Sequence, residues 1–283
     1  MSNTKYLNYN GKILKSDKLI ISPDNRSFRY GDGFFETMKM VNGKIILSSL
    51  HFERLFSSLD LMKFTPQKFF TKENLEQQII ELAEKNNHSQ LARIRLTIFR
   101  SDGGLYDDIN NKPNYLIQTW AMNETNNQLN ENGLTIDIFH DAKKACDNFS
   151  NIKSNNYLPY IMAALWAKQN KLNDALVLNA HNCIADATIA NIFIVQDGII
   201  KTPALAEGCV SGVTRKYLLQ CIRKEGIPVE ETSITKEDIL NASEIFLTNA
   251  GYGIRWVKAC GKNNYQLQLA AYLHRQFIQP LYA

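Results

Sequence analysis

Two Asn-Gly pairs constrain the first part of this 283-residue chain more strongly than any other local feature. Asn10-Gly11 and Asn42-Gly43 each separate two strand-like runs. Asn and Gly both tolerate positive φ, which a two-residue type I′ turn requires at its two central positions. Each pair therefore predicts a β-hairpin.

Beyond the hairpins, helical and strand-like segments are interspersed along the chain, which is the pattern of an α/β fold. Apolar residues recur at helical spacing over 50–62, 72–87, 158–170, 211–225 and 266–277. Strand-like runs cover 92–99, 114–121, 175–179, 189–195 and 244–248. No internal repeat is present, so a solenoid or propeller is not expected.

The segment MNETNNQLNENG, residues 122–133, separates the two halves of this pattern. It is polar and rich in Asn, and it lacks apolar periodicity, as linkers do. We therefore expect an N-terminal α/β domain over 1–121, an interdomain linker over 122–133 and a C-terminal α/β domain over 134–283.

Composition and charge argue against several classes of protein. Hydrophobic residues make up 45% of the chain and charged residues 21%, which is ordinary for a soluble globular enzyme. The net charge of +4 comes from scattered Lys and Arg, so we expect no nucleic-acid partner. The polar N-terminus lacks the apolar run of a signal peptide, and the longest apolar run, 160–167, is too short to cross a bilayer. We therefore expect a cytoplasmic protein without membrane contact.

The spacing of cysteines and histidines argues against disulfides and metals. The five cysteines are an odd number without CxxC spacing, which favours a reducing compartment. The five histidines are dispersed and form no HxH, HxxxH or HExxH pattern. We therefore expect no metal site.

One carboxylate is out of place in the stretch CIADATIANIFIVQDG, residues 183–198. Its neighbours suit a buried strand that ends in an Asp-Gly turn, and Asp186 does not. An unpaired carboxylate costs several kcal/mol to bury, so a permanent cation should lie beside it. The sequence therefore predicts a cationic partner for Asp186.

Four other stretches carry groups that could hold a phosphorylated ligand. Lys153 precedes an apolar helix, where partial desolvation would favour the neutral amine needed for a Schiff base. The stretch GCVSGVTRKYLLQ places glycines, Ser211 and Thr214 at the start of a helix, whose free N–H groups suit an anion. Thr248 ends a strand at a turn, and Arg54 lies on an amphipathic helix. Each alone also has an ordinary explanation: a solvated lysine, a helix cap at Ser211, a turn or a surface arginine.

Taken together, an amine, a phosphate site and an isolated carboxylate are the groups that hold pyridoxal 5′-phosphate. The carboxylate pairs with the pyridinium nitrogen and keeps it protonated, so that the ring can accept electrons. That nitrogen would be the cation expected beside Asp186.

Six ordered motifs extend this interpretation to a resemblance. They are RSFRYGDGFFETMKMVNGK, LHFERL, IKSNNYL, IADATIANIFIV, GCVSGVTR and FLTNA. In order and spacing they resemble the class IV aminotransferases, the fold-type IV pyridoxal-phosphate enzymes. These include branched-chain and D-amino acid aminotransferases and aminodeoxychorismate lyase. The resemblance implies a two-domain, D-amino acid aminotransferase-like α/β (α+β) fold, a C-terminal pseudo-barrel domain that binds the coenzyme, and a homodimer.

The resemblance also implies roles for individual residues. Lys153 would form the Schiff base and move protons, and Asp186 would pair with the pyridinium nitrogen, although the family normally has Glu there. Tyr157 matches a tyrosine that hydrogen-bonds the phenolic oxygen of the coenzyme in branched-chain enzymes. The phosphate would be held by Arg54, Val213, Thr214 and Thr248.

The motifs that recognise the substrate are mixed. Arg100 is present in the loop FRSDGGLYDDINNK, but the His of the D-specific enzymes and the GGRGY of the lyases are not. FFETMK replaces the FEGIR of branched-chain enzymes, while the FLTNA turn resembles that of the lyases. For the substrate carboxylate the exposed candidates are Tyr30, Arg100, Asn249 and Ala250.

The expected activity is therefore amino-group transfer between a 2-oxo acid and a branched-chain or broad range of L-amino acids. The first alternative is aminodeoxychorismate lyase, which would release pyruvate and 4-aminobenzoate. The second is a coenzyme-binding relative with impaired catalysis, which only the Asp at position 186 favours.

Overall fold

A computed structural model describes residues 4–18, 20–108 and 110–282, and it divides the chain into two compact units. The first consists of Met1–Glu124 and Lys153–Asn156, and the second of Thr125–Ile152 and Tyr157–Ala283. The chain thus crosses between units three times. The domain limits 1–121 and 134–283 stay a prediction, and the short return of 153–156 was not foreseen from the sequence.

The first unit is built on an antiparallel sheet with the order β2-β1-β6-β5-β3-β4. Its elements are β1 (Tyr6–Tyr9), β2 (Lys12–Lys15), α1 (Arg26–Tyr30), β3 (Gly33–Val41), β4 (Lys44–Ile45), α2 (Ser48–Leu61), α3 (Lys72–Lys85), β5 (Leu91–Phe99) and β6 (Asn114–Ala121). Both predicted hairpins form, β1–β2 and β3–β4, and all four turn residues have positive φ.

Helices α2 and α3 contact β3 and β6 respectively, and each buries one apolar face. In α3 the buried residues are Leu75, Ile79, Leu82 and Ala83, which recur at helical spacing. Thr71 caps this helix, since its hydroxyl accepts the N–H of Asn74 at 3.3 Å. The side chains of β3 that point toward α2 include Glu36, which is 1% exposed.

Residues 153–156 extend the first unit by pairing with the start of β3. The Phe35 N–H donates to the Lys153 carbonyl at 3.0 Å, and the Asn155 N–H donates to the Gly33 carbonyl at 2.9 Å. A Cβ on Gly33 would collide with the Ile98 carbonyl oxygen, so only glycine fits there. This pairing fixes the backbone of Lys153.

The second unit contains a larger, mixed sheet with the order β12-β11-β10-β13-β14-β7-β8-β9, with β15 paired to β14. Its strands are β7 (Leu134–Lys144), β8 (Asp174–Asn179), β9 (Ile184–Ala187), β10 (Asn191–Gln196), β11 (Ile199–Pro203), β12 (Val229–Thr232), β13 (Glu244–Asn249), β14 (Gly253–Cys260) and β15 (Asn263–Asn264). The pairs β11–β12, β14–β7 and β7–β8 are parallel and the others are antiparallel.

The helices of this unit pack against that sheet. They are α4 (Leu158–Gln169), α5 (Val213–Lys224), α6 (Lys236–Asn241) and α7 (Leu269–Leu273), which continues as a π-helical turn, His274–Ile278. Short 3₁₀ turns cover Glu124–Asn127, Leu205–Glu207 and Gln279–Tyr282. None of the helices in the described parts of the chain combines the length and apolar character needed to span a bilayer.

Three expectations from the sequence need correction. Residues 183–198 form two strands, β9 and β10, rather than one; the predicted Asp-Gly turn, Asp197-Gly198, then joins β10 to β11 with positive φ at both residues. The helix expected over 211–225 starts later, at Val213, and its N-cap is Gly212 instead of Ser211. The helix expected over 266–277 has only five α-helical residues before the π-helical turn.

Candidate functional site

The first turn of α5 offers an anion site in the second unit. Its N-cap, Gly212, has no side chain with which to cap the N–H groups of Val213 and Thr214. Thr248 is the last residue but one of the neighbouring strand β13, and its buried hydroxyl oxygen has no hydrogen-bond partner among the described residues. An orphaned buried hydroxyl is costly unless a ligand satisfies it. These groups therefore fit a bound phosphate.

Asn191 connects the anion site to Asp186. In the antiparallel pair β10–β13, Asn191 lies directly opposite Thr248, so the two side chains share one face. A Cβ on Gly212 would collide with the Asn191 amide oxygen, so glycine is required for this close approach. The Asn191 amide nitrogen donates to Asp186 Oδ1 at 2.8 Å. Asn191 alone thus separates the Asp186 carboxylate from the anion site.

Asp186 lies on β9 and is 2% exposed. Its Oδ2 accepts from the Tyr160 hydroxyl at 2.8 Å and from the Val210 N–H at 2.9 Å, and it lies 3.3 Å from Lys144 Nζ. Lys144 is a cationic partner of the kind that burial requires. Sequence reasoning missed Lys144 and Tyr160, since Lys144 looks like a solvated lysine of a polar segment and Tyr160 like a core tyrosine.

Tyr157 begins α4 and belongs to the same region of the second unit. Its ring centroid lies 4.6 Å from that of Tyr160, and its hydroxyl donates to the Thr188 carbonyl at 3.3 Å. That hydrogen bond is long, so the hydroxyl could exchange it for a better acceptor. The expected contact with the phenolic oxygen of the coenzyme stays a prediction.

In the first unit, the amine of Lys153 lies beside an arginine that sequence reasoning missed. Lys153 Nζ is 4.8 Å from the centroid of the Phe35 ring, and the Arg95 guanidinium carbon is 3.6 Å from the same centroid. The two cationic groups are therefore at most the sum of these distances apart, about 8.4 Å. Arg95 also donates its Nε hydrogen to Thr97 Oγ1 at 3.2 Å.

Lys39 adds a further cation to this face of the first sheet. Phe35 and Lys39 alternate with Glu36 along β3, and Arg95 faces Thr37 on the same side. Lys39 is 1% exposed, which is rare for a lysine. The alternation of residues along a β-strand does not show on which face of the sheet Lys153 lies. The sequence therefore gave no signal that singled out Lys39 or Arg95.

Arg54, expected at the phosphate, forms a bidentate ion pair on α2. Its Nε and one Nη lie 2.7 and 2.6 Å from the carboxylate oxygens of Glu36, and His51 Nδ1 lies 2.7 Å from Glu36. Burial raises the pKa of Glu36, but Arg54 and His51 together lower it to about 2. Glu36 thereby fixes the guanidinium, and the role of Arg54 at the phosphate stays a prediction.

Arg100 is not the exposed residue that the sequence led us to expect, since it is 8% exposed. Its guanidinium donates to Asp32 Oδ1 at 3.1 Å, to Asn111 Oδ1 at 2.6 Å and to the Met62 carbonyl. It also stacks 4.2 Å from the Phe64 ring centroid. These contacts hold the guanidinium in place, and the role of Arg100 at the substrate carboxylate stays a prediction.

The remaining substrate candidates lie at turns. Tyr30 ends α1 and is 37% exposed, with the guanidinium carbons of Arg26 and Arg29 at 5.8 and 5.3 Å from its ring. The Asn249 side chain accepts the N–H groups of Gly251 and Tyr252 and so builds the turn around Ala250. Their contact with substrate stays a prediction.

The residues present fit pyridoxal 5′-phosphate. The second unit supplies an unsatisfied hydroxyl, an uncapped helix start and a buried carboxylate in one connected patch, while the role of Lys153, in the first unit, stays a prediction. These are the parts that the coenzyme needs.

Comparison with known proteins identifies the family of this chain. The model of the class IV aminotransferases matches residues 33–260, which is most of the chain. The chain therefore belongs to this family.

Relatives within the family differ in activity. A protein of Methanocaldococcus jannaschii, provisionally named a branched-chain-amino-acid aminotransferase, is 28% identical over 84% of this chain and 82% of its own. The D-alanine aminotransferase of Bacillus licheniformis is 24% identical over 85% and 83%. The aminodeoxychorismate lyase of Bacillus subtilis is 25% identical over 85% and 82%. The family is thus shared by two kinds of transaminase and by a lyase.

The fold is shared with solved structures. The solved structure of the branched-chain aminotransferase of the thermophilic archaeon Thermoproteus uzoniensis with norvaline superposes with a TM-score of 0.87 at 22% identity. The match covers 98% of this chain and 94% of that one.

Proposed function

We propose that this class IV aminotransferase binds pyridoxal 5′-phosphate and transfers an amino group between a 2-oxo acid and a branched-chain or broad range of L-amino acids. The observation that carries the proposal is the connected patch of Asp186, Asn191, Thr248 and the start of α5. It supplies a carboxylate and an unsatisfied anion site together, as the coenzyme requires.

Each residue has a defined task in this proposal. The first turn of α5 and the Thr248 hydroxyl hold the phosphate, and Arg54 adds charge. Asp186 accepts the ring N–H, and Tyr157 donates to the phenolic oxygen. When bound, the coenzyme supplies a carbonyl and a ring that accepts electrons. Lys153 would hold it covalently and, once the substrate amine has displaced it, the freed amine would carry the proton that leaves the substrate Cα.

The substrate carboxylate is bound, in this proposal, by Arg95. Its guanidinium carbon and the Lys153 amine both lie over the Phe35 ring, and its Nε donates to Thr97 Oγ1 at 3.2 Å. Arg binds carboxylates in a bidentate, charge-assisted manner. Tyr30 and the Asn249–Ala250 turn remain candidates for further contacts.

Aminodeoxychorismate lyase is the second candidate. The Arg95 guanidinium would equally suit that substrate, because it also carries carboxylates. The Asn249 side chain also supports the FLTNA turn, which resembles that of the lyases. The same lysine would then release pyruvate.

A homodimer is proposed from the exposed face of α4. Leu158, Ile161, Met162 and Leu165 are 67, 50, 44 and 50% exposed and follow helical spacing. A helix that is apolar on its outer face as well as its inner face calls for a partner. These four residues form the α4 stripe, whose exposed apolar surface is on the order of 400 Å² per chain. That area is about half of what each partner buries in a stable dimer.

A second copy of the chain is the occupant that this face fits. The stripe is uncharged, so a two-fold axis can place it against itself. Ile189, 56% exposed, extends it, since the neighbouring Thr188 contacts Tyr157 at the start of α4. A cytoplasmic location is proposed as well, supported by five described cysteines whose thiols are all free.

One experiment separates the candidate activities. The protein loaded with pyridoxal 5′-phosphate is incubated with L-leucine plus 2-oxoglutarate, with D-alanine plus 2-oxoglutarate, and with aminodeoxychorismate alone. Glutamate and pyruvate are then quantified, with Lys153→Ala as the control. We expect glutamate from L-leucine. Pyruvate from aminodeoxychorismate without glutamate would establish the lyase, and no product from any incubation would reject both.

A further inference from the structure

The two carboxylate oxygens of Asp186 are unequally occupied. Oδ2 lies within reach of three donors, the Tyr160 hydroxyl at 2.8 Å, the Val210 N–H at 2.9 Å and Lys144 Nζ at 3.3 Å. Oδ1 accepts one hydrogen bond, from Asn191 at 2.8 Å. Because a carboxylate oxygen has about two lone-pair positions, Oδ2 is full, and among the described residues Oδ1 keeps one acceptor position.

Tyr160 is held firmly enough to impose this asymmetry. It is 5% exposed on α4, and its ring has the Tyr157 ring centroid 4.6 Å away and Lys144 Nζ at 5.4 Å. Helix α4 packs on β8, and Val177 of β8 pairs with Asp186 of β9. Burial and the negative charge of Asp186 raise the pKa of Tyr160 well above its usual value, so the hydroxyl remains a donor.

We propose that Tyr160 is a positioning residue for Asp186. By occupying Oδ2, its hydroxyl directs Oδ1 toward the ring N–H of pyridoxal 5′-phosphate, an inference that rests on the proposed function. The phenol also fills the space into which a longer carboxylate would extend, because the two oxygens are already at hydrogen-bond distance. Asp186 and Tyr160 are therefore matched in length.

The test uses Tyr160→Phe, Asp186→Glu and the double variant. The probe is pyridoxal 5′-phosphate labelled with ¹⁵N in its ring. Its dissociation constant is measured by equilibrium dialysis, and the ¹⁵N shift of the bound ring reports protonation of that nitrogen. Tyr265→Phe is the matched control, since the buried Tyr265 donates to the Ile239 carbonyl at 2.9 Å in the same unit.

For Tyr160→Phe we expect about tenfold weaker binding of the coenzyme and a ¹⁵N shift toward neutral pyridine. Asp186→Glu alone should also bind about tenfold more weakly, because its added methylene meets the phenol oxygen. The dissociation constant of the double variant should return to within about threefold of wild type, because the phenol oxygen that it loses is about as long as the methylene that it gains. Tyr265→Phe should lower the melting temperature while leaving both coenzyme measurements unchanged.

An unchanged ¹⁵N shift in Tyr160→Phe would overturn the inference, as would losses that multiply in the double variant. In either case a wild-type protein that binds the coenzyme through Lys153 would leave the proposed function standing. A wild-type protein that takes up no labelled coenzyme would overturn both.

Discussion

At the scale of single residues, Thr248 is the sharpest indicator of a ligand. Its buried hydroxyl has no hydrogen-bond partner within the described parts of the chain. Removing it should therefore relieve the desolvation cost of an unsatisfied hydroxyl when the coenzyme is absent, and should remove a hydrogen bond to the phosphate when the coenzyme is bound. We expect Thr248→Val to bind pyridoxal 5′-phosphate about tenfold more weakly and to be at least as stable without it. Equilibrium dialysis and thermal unfolding measure the two effects.

A second buried threonine provides the control for this prediction. Thr202 donates to the Ile192 carbonyl at 2.7 Å, so Thr202→Val should lose about 1 kcal/mol of stability and bind the coenzyme normally. If both variants bound equally well, Thr248 would have no place in the phosphate site.

Two arginines of the first unit should respond differently to substitution by Gln. Arg100→Gln breaks contacts to Asp32, Asn111 and Met62, and we expect about 2–4 kcal/mol less stability with little change in kcat/KM. Arg95→Gln should instead reduce kcat/KM by about tenfold or more. Steady-state kinetics measures kcat/KM and denaturant unfolding measures stability. If Arg100→Gln lost kcat/KM while Arg95→Gln lost only stability, Arg100 would be the carboxylate ligand.

These residues also show what the sequence could reveal. Asp186 could be singled out because a carboxylate among β-formers requires an explanation. Lys144, Tyr160 and Arg95 could not, because each matters only through a contact across strands or between a strand and a helix. The expectation that Arg100 is exposed was wrong for the same reason, because the groups that accept its hydrogen bonds are distant in sequence.

At the scale of elements, the contact between β3 and α2 depends on an ionised carboxylate. The pKa of Glu36 falls from 4.5 to about 2 on folding, and burial lowers the pKa of His51 from its usual 6.5. A group whose pKa is lowered makes the unfolded chain bind more protons, so stability decreases as pH falls. We expect the loss to begin below about pH 6.5 through His51. The contribution of Glu36 is complete above pH 4.5 and is lost toward pH 2.

Urea unfolding at about pH 7, 5 and 3.5 tests this expectation. Glu36→Gln should be less stable at about pH 7 and should depend less on pH between about 5 and 3.5. Glu81→Gln, on the exposed side of α3, is the control and should retain the slope of the wild type. An identical slope in Glu36→Gln would show that Glu36 is not the titrating group.

The α4 stripe gives a prediction about assembly. Ile161→Asp combined with Leu165→Asp places two charges in the apolar face and should yield monomers. Leu240→Asp on α6 is the matched control, since Leu240 is 60% exposed outside the stripe. Light scattering after size exclusion measures the mass. A wild-type protein that is a monomer at micromolar concentration would reject the interface.

Element prediction succeeded where local chemistry decides the structure. The hairpins at Asn10 and Asn42 formed because positive φ is a property of the turn residues themselves. The strand expected over 189–195 formed as β10, but the separate strand β9 was missed. Because β9 and all but the last residue of β10 are buried, no alternation marks the break between them.

At the scale of the whole molecule, the order of motifs identified the family, while physical pattern alone reached only a two-domain α/β fold. Strands β7 and β14 were not predicted, and their pairing at the centre of the second sheet joins residues about 120 positions apart. Such long-range pairing is a matter of topology, which local periodicity does not encode.

The return of residues 153–156 to the first unit limits how the gene for this protein can be divided. A split after codon 124 would leave β3 on one polypeptide and its partner segment, with Lys153, on the other. The first fragment would then lack the segment that pairs with the start of β3. The backbone of Lys153 would be fixed by its pairing with Phe35 only when both fragments are present.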